Sequence, residues 1–451
     1  ACHKLHNYLL YLICSLFLNA LMHREAHLNM NHQLECRNES IAIQAQQLEN
    51  EQEERHFEDV CDAYRQYATF MRCERVNRVA RFTALPQSQK NVLPLSLREG
   101  TKEMQDRNKL IQDAEVRNQF FLDSVLNYTG VNNSQQWHKE RAENENTTGD
   151  VHDIKWVTSE SISKVQSVLK SLMRDWSIEG AGERSMCYAP IRNAVRKYVP
   201  IGVESDKVLN RLPRIVVPGA GLGRLALELC SDGYEVQGNE FSLHMLLVSD
   251  FILNNSSTYR PFNVSPWIGT SCNISSSNDP TRTISVPDVD PGAMLLGEES
   301  NFKDQNPPEF SMAAGDFVSI YSKTSEHGQW DAVASCFFLD TAPSVVKYLQ
   351  VIWDMLIEGG VLINFGPLLF HWSSPPARPD EVANSSLDHR YFDSVDVCYD
   401  DLKEILTQIG FEILEEKLGV EALYTADKLS MMSSNYQCVY FVARKPCRKD
   451  F

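Results

Sequence analysis

Apolar positions along this chain of 451 residues fall into two regimes. Up to about residue 176 they recur at helical steps, and beyond residue 214 short β-branched runs alternate with helical stretches. Phe57, Val60, Tyr64, Tyr67 and Met71 lie three and four residues apart, which predicts a helix with one apolar face starting near His56. The basic run Arg72 to Arg81 continues it and reads as a solvated face, and Leu85-Pro86 is a break. Residues 99 to 128 read as a second helix, through Leu110, Val116, Phe120, Phe121 and Leu122. Ser161 to Trp176 reads as a third, through Val165, Val168, Leu169, Leu172, Met173 and Trp176. Glu35 to Arg55 is polar, and Gly130 to Asp150 is an asparagine-rich loop.

The second regime opens on Ile215, Val216 and Val217, a β-branched run that suits a buried strand. Gly219, Gly221 and Gly223 follow at alternate positions, then Leu222, Leu225, Ala226 and Leu229 at helical spacing. Tyr234 to Glu240 reads as a strand ending in an acid, and Ser242 to Asn254 as a helix. Residues 255 to 309 are rich in Ser, Asn, Pro and Gly and read as an insertion or long loop. Trp330 to Ala342 is a buried strand ending in polar residues, Val345 to Leu356 a helix closed by Gly359-Gly360, and Val361 to Gly366 a strand. Leu402 to Ile409 is a helix ending at Gly410, and Tyr436 to Arg444 a last strand. Strands alternating with helices predict an α/β fold with a mostly parallel sheet and helices on both faces. The expected organisation is a variable segment 1–55, a helical region 56–184, and an α/β core 185–451 carrying the insertion near 255–309.

Composition narrows the class. Forty-three per cent hydrophobic and 23% charged is ordinary for a globular protein. A net charge of -17 argues against nucleic acid as a partner, since phosphate calls for a basic face. The 12 cysteines are scattered without a C-x-x-C pair, which gives no support to a metal site and fits reduced thiols. Tyr8 to Met22 is strongly apolar but short of the ~20 residues a membrane span needs. It also has the look of a signal-peptide core, yet no small-residue cleavage site follows cleanly. A membrane partner is not expected, and the expected compartment is the cytosol, with the nucleus as a second.

The glycine turn carries the first candidate chemistry. Without Cβ atoms the backbone turns tightly and comes close to a ligand. Glu240, 21 residues past Gly219, stands where an acid accepts hydrogen bonds from ribose hydroxyls. Nicotinamide enzymes use G-x-G-x-x-G, whereas here Gly223 comes only two residues after Gly221. G-x-G-x-G with a distal acid is the pattern of enzymes that use S-adenosylmethionine (SAM).

The core resembles the carnosine N-methyltransferases, a branch of the SAM-dependent methyltransferases with a Rossmann-like sheet. The matching stretches are Val217 to Leu225, Gln237 to Ser242, Pro287 to Pro291, Ala314 to Phe317, Cys336 to Ala342, Asn364 to His371 and Leu429 to Met432. Upstream, Glu74 to Arg78 and Met173 to Trp176 also match, so the resemblance spans roughly residues 56 to 447. It implies SAM as cofactor, with Gly219 and Gly221 in the loop and Glu240 on the ribose. It further implies Asp316 and Phe317 at the adenine, the aromatic ring covering a base face, Arg174 near the methionine carboxylate, and Cys336 lining the site. For the acceptor it implies Asp340, His371 and Tyr436. Two positions depart from the family pattern: a glutamine three residues before Arg174 is Ser171 here, and a tyrosine two before Tyr436 is Ser434.

The implied reaction methylates an imidazole nitrogen of carnosine, giving anserine, or of a related histidine-containing peptide. Methyl transfer from a sulfonium needs no metal. A carboxylate holding the acceptor's other ring N–H would fix the tautomer and balance the cation that forms, as Asp does toward His in hydrolytic triads. Asp340 is the candidate for that role, and His371 for orienting the acceptor or receiving a proton. The partner is therefore a small imidazole-containing molecule or short peptide, and a homodimer is compatible with the pattern. Two alternatives stay open: a methyltransferase for another small molecule or a protein histidine, and an inactive scaffold of this fold.

Overall fold

The computed structural model describes residues 52–130, 156–202, 211–296, 308–373 and 389–447. The apolar run Tyr8 to Met22 and, apart from Gly130, the stretch Gly130 to Asp150 expected as a loop lie outside them. No helix among the described residues is long and apolar enough to cross a membrane.

The helical region comprises α1 (52–65), α2 (Tyr67–Thr83), α3 (Lys102–Tyr128) and α4 (Ser159–Trp176). Thr101 and Thr158 cap α3 and α4 by accepting the backbone N–H groups of Met104 and Ser161. Tyr64, Tyr67, Phe121, Leu122, Val165, Leu169 and Trp176 form its dry interior. A helix α5 (Ala181–Tyr198) follows, and the expected boundary at 185 falls inside it.

The α/β half contains β1 (Arg214–Pro218), α6 (Arg224–Ser231), β2 (Glu235–Glu240) and α7 (Leu243–Asn255). After the short strands β3 (Phe262–Val264) and β4 (Ile284–Val286) come β5 (Phe310–Ala314), α8 (Phe317–Tyr321) and β6 (Trp330–Cys336). The last elements are α9 (Val345–Met355), β7 (Leu356–Gly366), α10 (Tyr399–Ile409), β8 (Glu412–Leu423) and β9 (Asn435–Arg444). The seven-stranded sheet has the order β5-β2-β1-β6-β7-β9-β8. Its first five strands are parallel, and β9 runs antiparallel to both neighbours. Side chains alternate across it as the pleat requires. Val216, Val333 and Leu362 pack with α9 and α10, whereas Ile215, Val217 and Ile363 pack with α5 and α6. The α/β class with helices on both faces is thus as expected.

Two expectations fail. Gly359 and Gly360 do not close a helix. The helix stops at Met355, Leu356 already pairs with Trp330, and the glycines carry a register shift inside β7. Gly359 has φ 84, and a Cβ on Gly360 would meet Asp331 O at 3.1 Å, so the irregularity needs both. Of the two readings of residues 255 to 309, an insertion or a long loop, the long loop fails over the described residues 255–296. β3 and β4 pair, bury Val264, Ile284 and Val286, and are pinned to α3 by Asn118, whose amide donates to Ser265 O and accepts from Ser265 N.

His244 on α7 sits in the helical interior, 5% exposed. Burial, reinforced by the charges of Lys164 and His56, pushes its imidazole down to about 4. The unfolded chain takes up that proton near the ordinary value of 6.5, so stability is full above 6.5 and drains away as pH falls toward 4. The loss reaches on the order of 3 kcal/mol. Tm measured between pH 7 and 5 is expected to slope downward with acid, and His244→Gln to flatten that slope. An unchanged slope would mean that His244 does not titrate in this window.

Candidate active site

β1 pairs with β2 on one side and β6 on the other, so the chain reverses direction of travel between β1 and β6. In open α/β sheets the crevice at such a point, outside the carboxyl ends of the strands, is where ligands sit. The glycine turn lies there. Gly219, Gly221 and Gly223 have φ 62, 55 and 80, values that L side chains resist. A Cβ on Gly219 would stand 2.8 Å from Phe338 Cδ2.

Glu240, the last residue of β2, closes this turn. Its Oε2 accepts Gly221 N at 2.8 Å, and its Oε1 accepts Phe241 N and Ser242 N at 3.0 and 2.8 Å. Burial pushes the carboxyl upward, while those three N–H groups and the Arg174 cation pull the other way. Asn239 beside it donates to Ala313 O and Gly315 O, and Gly315 N donates to Glu240 O. The end of β5 is thereby tied to the end of β2, which brings Asp316 next to Glu240. Asp316 caps α8, its Oδ1 accepting from Ser319 N at 2.8 Å, and its Oδ2 makes no hydrogen bond among the described residues.

Phe317 requires a correction. Its ring was expected to cover a base face, but it is 2% exposed and packed among Tyr321, Phe338 and Tyr348 at 5.1 to 5.3 Å. The face is spent on the core.

The helical region supplies the other wall. Trp176 Nε1 donates to Leu222 O at 3.0 Å, so the end of α4 is fastened to the glycine turn. Arg174 lies beside it, its Nη2 3.7 Å from where a Cβ of Gly221 would be. Burial disfavours its charge and Asp175 more than restores it, so the guanidinium stays protonated. Behind this turn Asp288 accepts from both Arg184 and Arg224 at 2.5 and 2.6 Å, all three side chains being under a tenth exposed. The motif Pro287 to Pro291 thus binds α4, α5 and α6 together rather than facing the crevice. Ser171 is 3% exposed, while Ser434 lies on the surface.

On the far side of the crevice, Asp340 sits in a one-turn 3₁₀ helix four residues beyond β6, 3% exposed. Its Oδ2 accepts Leu369 N at 3.1 Å and its backbone carbonyl accepts His371 N at 3.0 Å. Burial pushes its carboxyl upward, opposed by the Leu369 N–H and the His371 imidazole. The two residues singled out at the ends of β6 and β7 therefore meet. Phe337 and Phe370 flank them in left-handed backbone, φ 53 and 44, an arrangement concentrated at functional sites. Phe337 reaches Tyr436 edge-on at 5.6 Å and Tyr424 at 4.8 Å, and Tyr424 covers the Arg174 guanidinium at 4.7 Å. Cys336, ending β6, is half-buried, and burial pushes its thiol up to about 12, so it is a packing group rather than a nucleophile.

Tyr424 and Asp175 were not anticipated. Tyr424 follows β8, a strand with no apolar alternation to announce it, and Asp175 was visible only as a member of the matching stretch Met173 to Trp176.

A family model described as carnosine N-methyltransferase matches residues 151–447. A mouse protein named carnosine N-methyltransferase is 37% identical over 395 residues, covering 87% of each chain. Its rat counterpart is 38% identical over the same length. A protein of that name from Schizosaccharomyces pombe is 36% identical over 295 residues, covering 65% of this chain and 74% of that one.

Proposed function

The chain belongs to the carnosine N-methyltransferase family and is a methyltransferase; on that premise, we propose that it methylates a ring nitrogen of carnosine, giving anserine, with SAM as donor. The observation that carries the reading is the placing of Asp340 and His371 side by side, their loops joined by the backbone bond from His371 N–H to Asp340 O beyond the carboxyl ends of β6 and β7, the same end of the sheet as the glycine turn and Glu240.

The residues of the crevice fit SAM. Three glycines in left-handed backbone leave room where side chains would stand, Glu240 offers carboxylate lone pairs to ribose hydroxyls, and Asp316 keeps Oδ2 for an adenine amino group. Arg174 is the cation for the methionine carboxylate. When bound, SAM supplies the activated methyl group. Everything else falls to the chain. Asp340 takes the N–H of the acceptor imidazole, which leaves the lone pair on the other nitrogen facing the crevice, and it balances the positive charge that grows on the ring. His371 orients the acceptor from the end of β7. Phe337, Tyr424 and Tyr436 form the aromatic wall against which a flat ring stacks. Most of the rate then comes from alignment.

Incubation with isotopically methyl-labelled SAM and either carnosine, free histidine or a histidine-containing peptide tests the assignment. Mass spectrometry is expected to find labelled anserine in the carnosine arm, and label only in another acceptor would overturn it. Glu240→Ala is expected to weaken SAM binding by about 1.5–3 kcal/mol, the range for a hydrogen bond to a charged group. Calorimetry giving wild-type affinity in the folded variant would remove Glu240 from the cofactor site.

A further inference from the structure

Arg174 and Asp175 are neighbours in a helix, and adjacent helical side chains do not ordinarily face one another. Here they do. Arg174 Nε donates to Asp175 Oδ1 at 2.6 Å and Nη2 to Oδ2 at 2.8 Å, a two-bond grip closed within the last turn of α4. Asp175 is 1% exposed, and Tyr188 on α5, itself 8% exposed, donates its hydroxyl to the same Oδ1 at 2.8 Å. The backbone beneath cannot shift easily. The carbonyls of Arg174, Asp175 and Trp176 are each taken, by Arg184 Nη1, Arg224 Nη1 and Asp288 N. Tyr424 covers one face of the guanidinium. What is left is one edge: Nη1 makes no hydrogen bond among the described residues, and Nη2 borders Gly221. A free arginine carries about 2 kcal/mol of rotamer entropy, which a carboxylate ligand would otherwise have to overcome.

We infer that Asp175, steadied by Tyr188, is the positioning residue that aims Arg174 at the carboxylate of the cofactor's amino-acid end. The crevice thereby selects adenosine ligands that retain that carboxylate. The inference rests on the proposed role of Arg174. Both carboxylate oxygens of Asp175 are already taken, Oδ1 by Arg174 and Tyr188 and Oδ2 by Arg174, so it works through the arginine.

The test compares two probes in the full chain. S-adenosylhomocysteine has the amino-acid end, and 5′-methylthioadenosine keeps the adenosine but lacks it. Asp175→Asn removes the charge that holds the guanidinium, so calorimetric affinity for S-adenosylhomocysteine is expected to fall about tenfold or more. Affinity for 5′-methylthioadenosine is expected to change by less than about twofold, the scatter of non-interacting sites. In turnover, KM for SAM rises more than kcat falls. Tyr188→Phe, a milder change that preserves packing, shifts the same ratio in the same direction. Arg174→Gln and the double variant Arg174→Gln/Asp175→Asn are expected to bind S-adenosylhomocysteine equally. Equal weakening of both probes, or additive losses in the double variant, would give Asp175 a merely structural role and overturn the inference. Failure of the wild-type protein to bind either probe would instead strike at the cofactor assignment.

Discussion

Asp340→Asn is expected to cut turnover at least ~100-fold, the effect of removing one electrostatic stabiliser from a growing charge. The substitution is a clean one. An amide oxygen still accepts the Leu369 N–H that Asp340 Oδ2 accepts now, so the turn between β6 and α9 keeps its staple. The negative charge is what disappears, and with it the counterweight to a cationic imidazole. SAM affinity is expected to hold, because Asp340 belongs to the acceptor wall and the cofactor wall is built from Gly219, Glu240 and Arg174. His371→Ala is expected to behave alike. Because burial raises the Asp340 carboxyl, acid also removes the charge, and it does so at a higher pH than for a free aspartate. Wild-type turnover therefore falls on the acid side. Single-turnover rate, SAM affinity and Tm read together decide the matter. Near-normal turnover in Asp340→Asn sinks the imidazole mechanism, while parallel loss of Tm and SAM binding assigns Asp340 to structure alone.

Asp288→Ala is expected to cost 3–5 kcal/mol or so, the penalty for breaking a buried ion pair from one side. Asp288 is the anion between two guanidiniums. Arg224 would retain Glu228, at 2.8 Å, but Arg184 would be left with only the carbonyls of Arg174 and Ser177. An uncompensated cation under a tenth exposed is expensive, and a typical protein has only about 5–15 kcal/mol of stability to lose. Urea denaturation measures the loss directly. A change under about 1 kcal/mol would show that solvent reaches Arg184 and that the network is ordinary surface pairing.

The parts of the molecule legible in the sequence are those specified locally. Ile215 to Val217, three glycines and the Leu225 to Leu229 helix form one strand–turn–helix unit whose pattern fits in 15 residues, and its geometry emerged as read. Asp340 and His371 came from the family resemblance; the residue pattern itself gave only their place just beyond the strands β6 and β7. The rest depended on partners distant in the chain. Helix α5 holds Pro190 and buries Glu183 and Arg184, which looks unlike any amphipathic stripe. Those two acquire a reason only when Glu183 receives the backbone of Thr425 and Ala426 and Arg184 meets Asp288. Strand β8 is an edge with two register shifts and five charged residues, so no period of two survives in it. The burial of the Phe317 ring, likewise, is decided by Phe338 and Tyr348 from other elements.

Strand β9 lies between β7 and β8, although β8 precedes it in the chain. Folding therefore cannot seat the strands in chain order: β8 has no partner until β9 pairs with β7, and until then β7 shows an open edge. The ordering also governs how the gene tolerates damage. A premature stop between residues 424 and 435 would delete one strand on paper but strip two from the sheet.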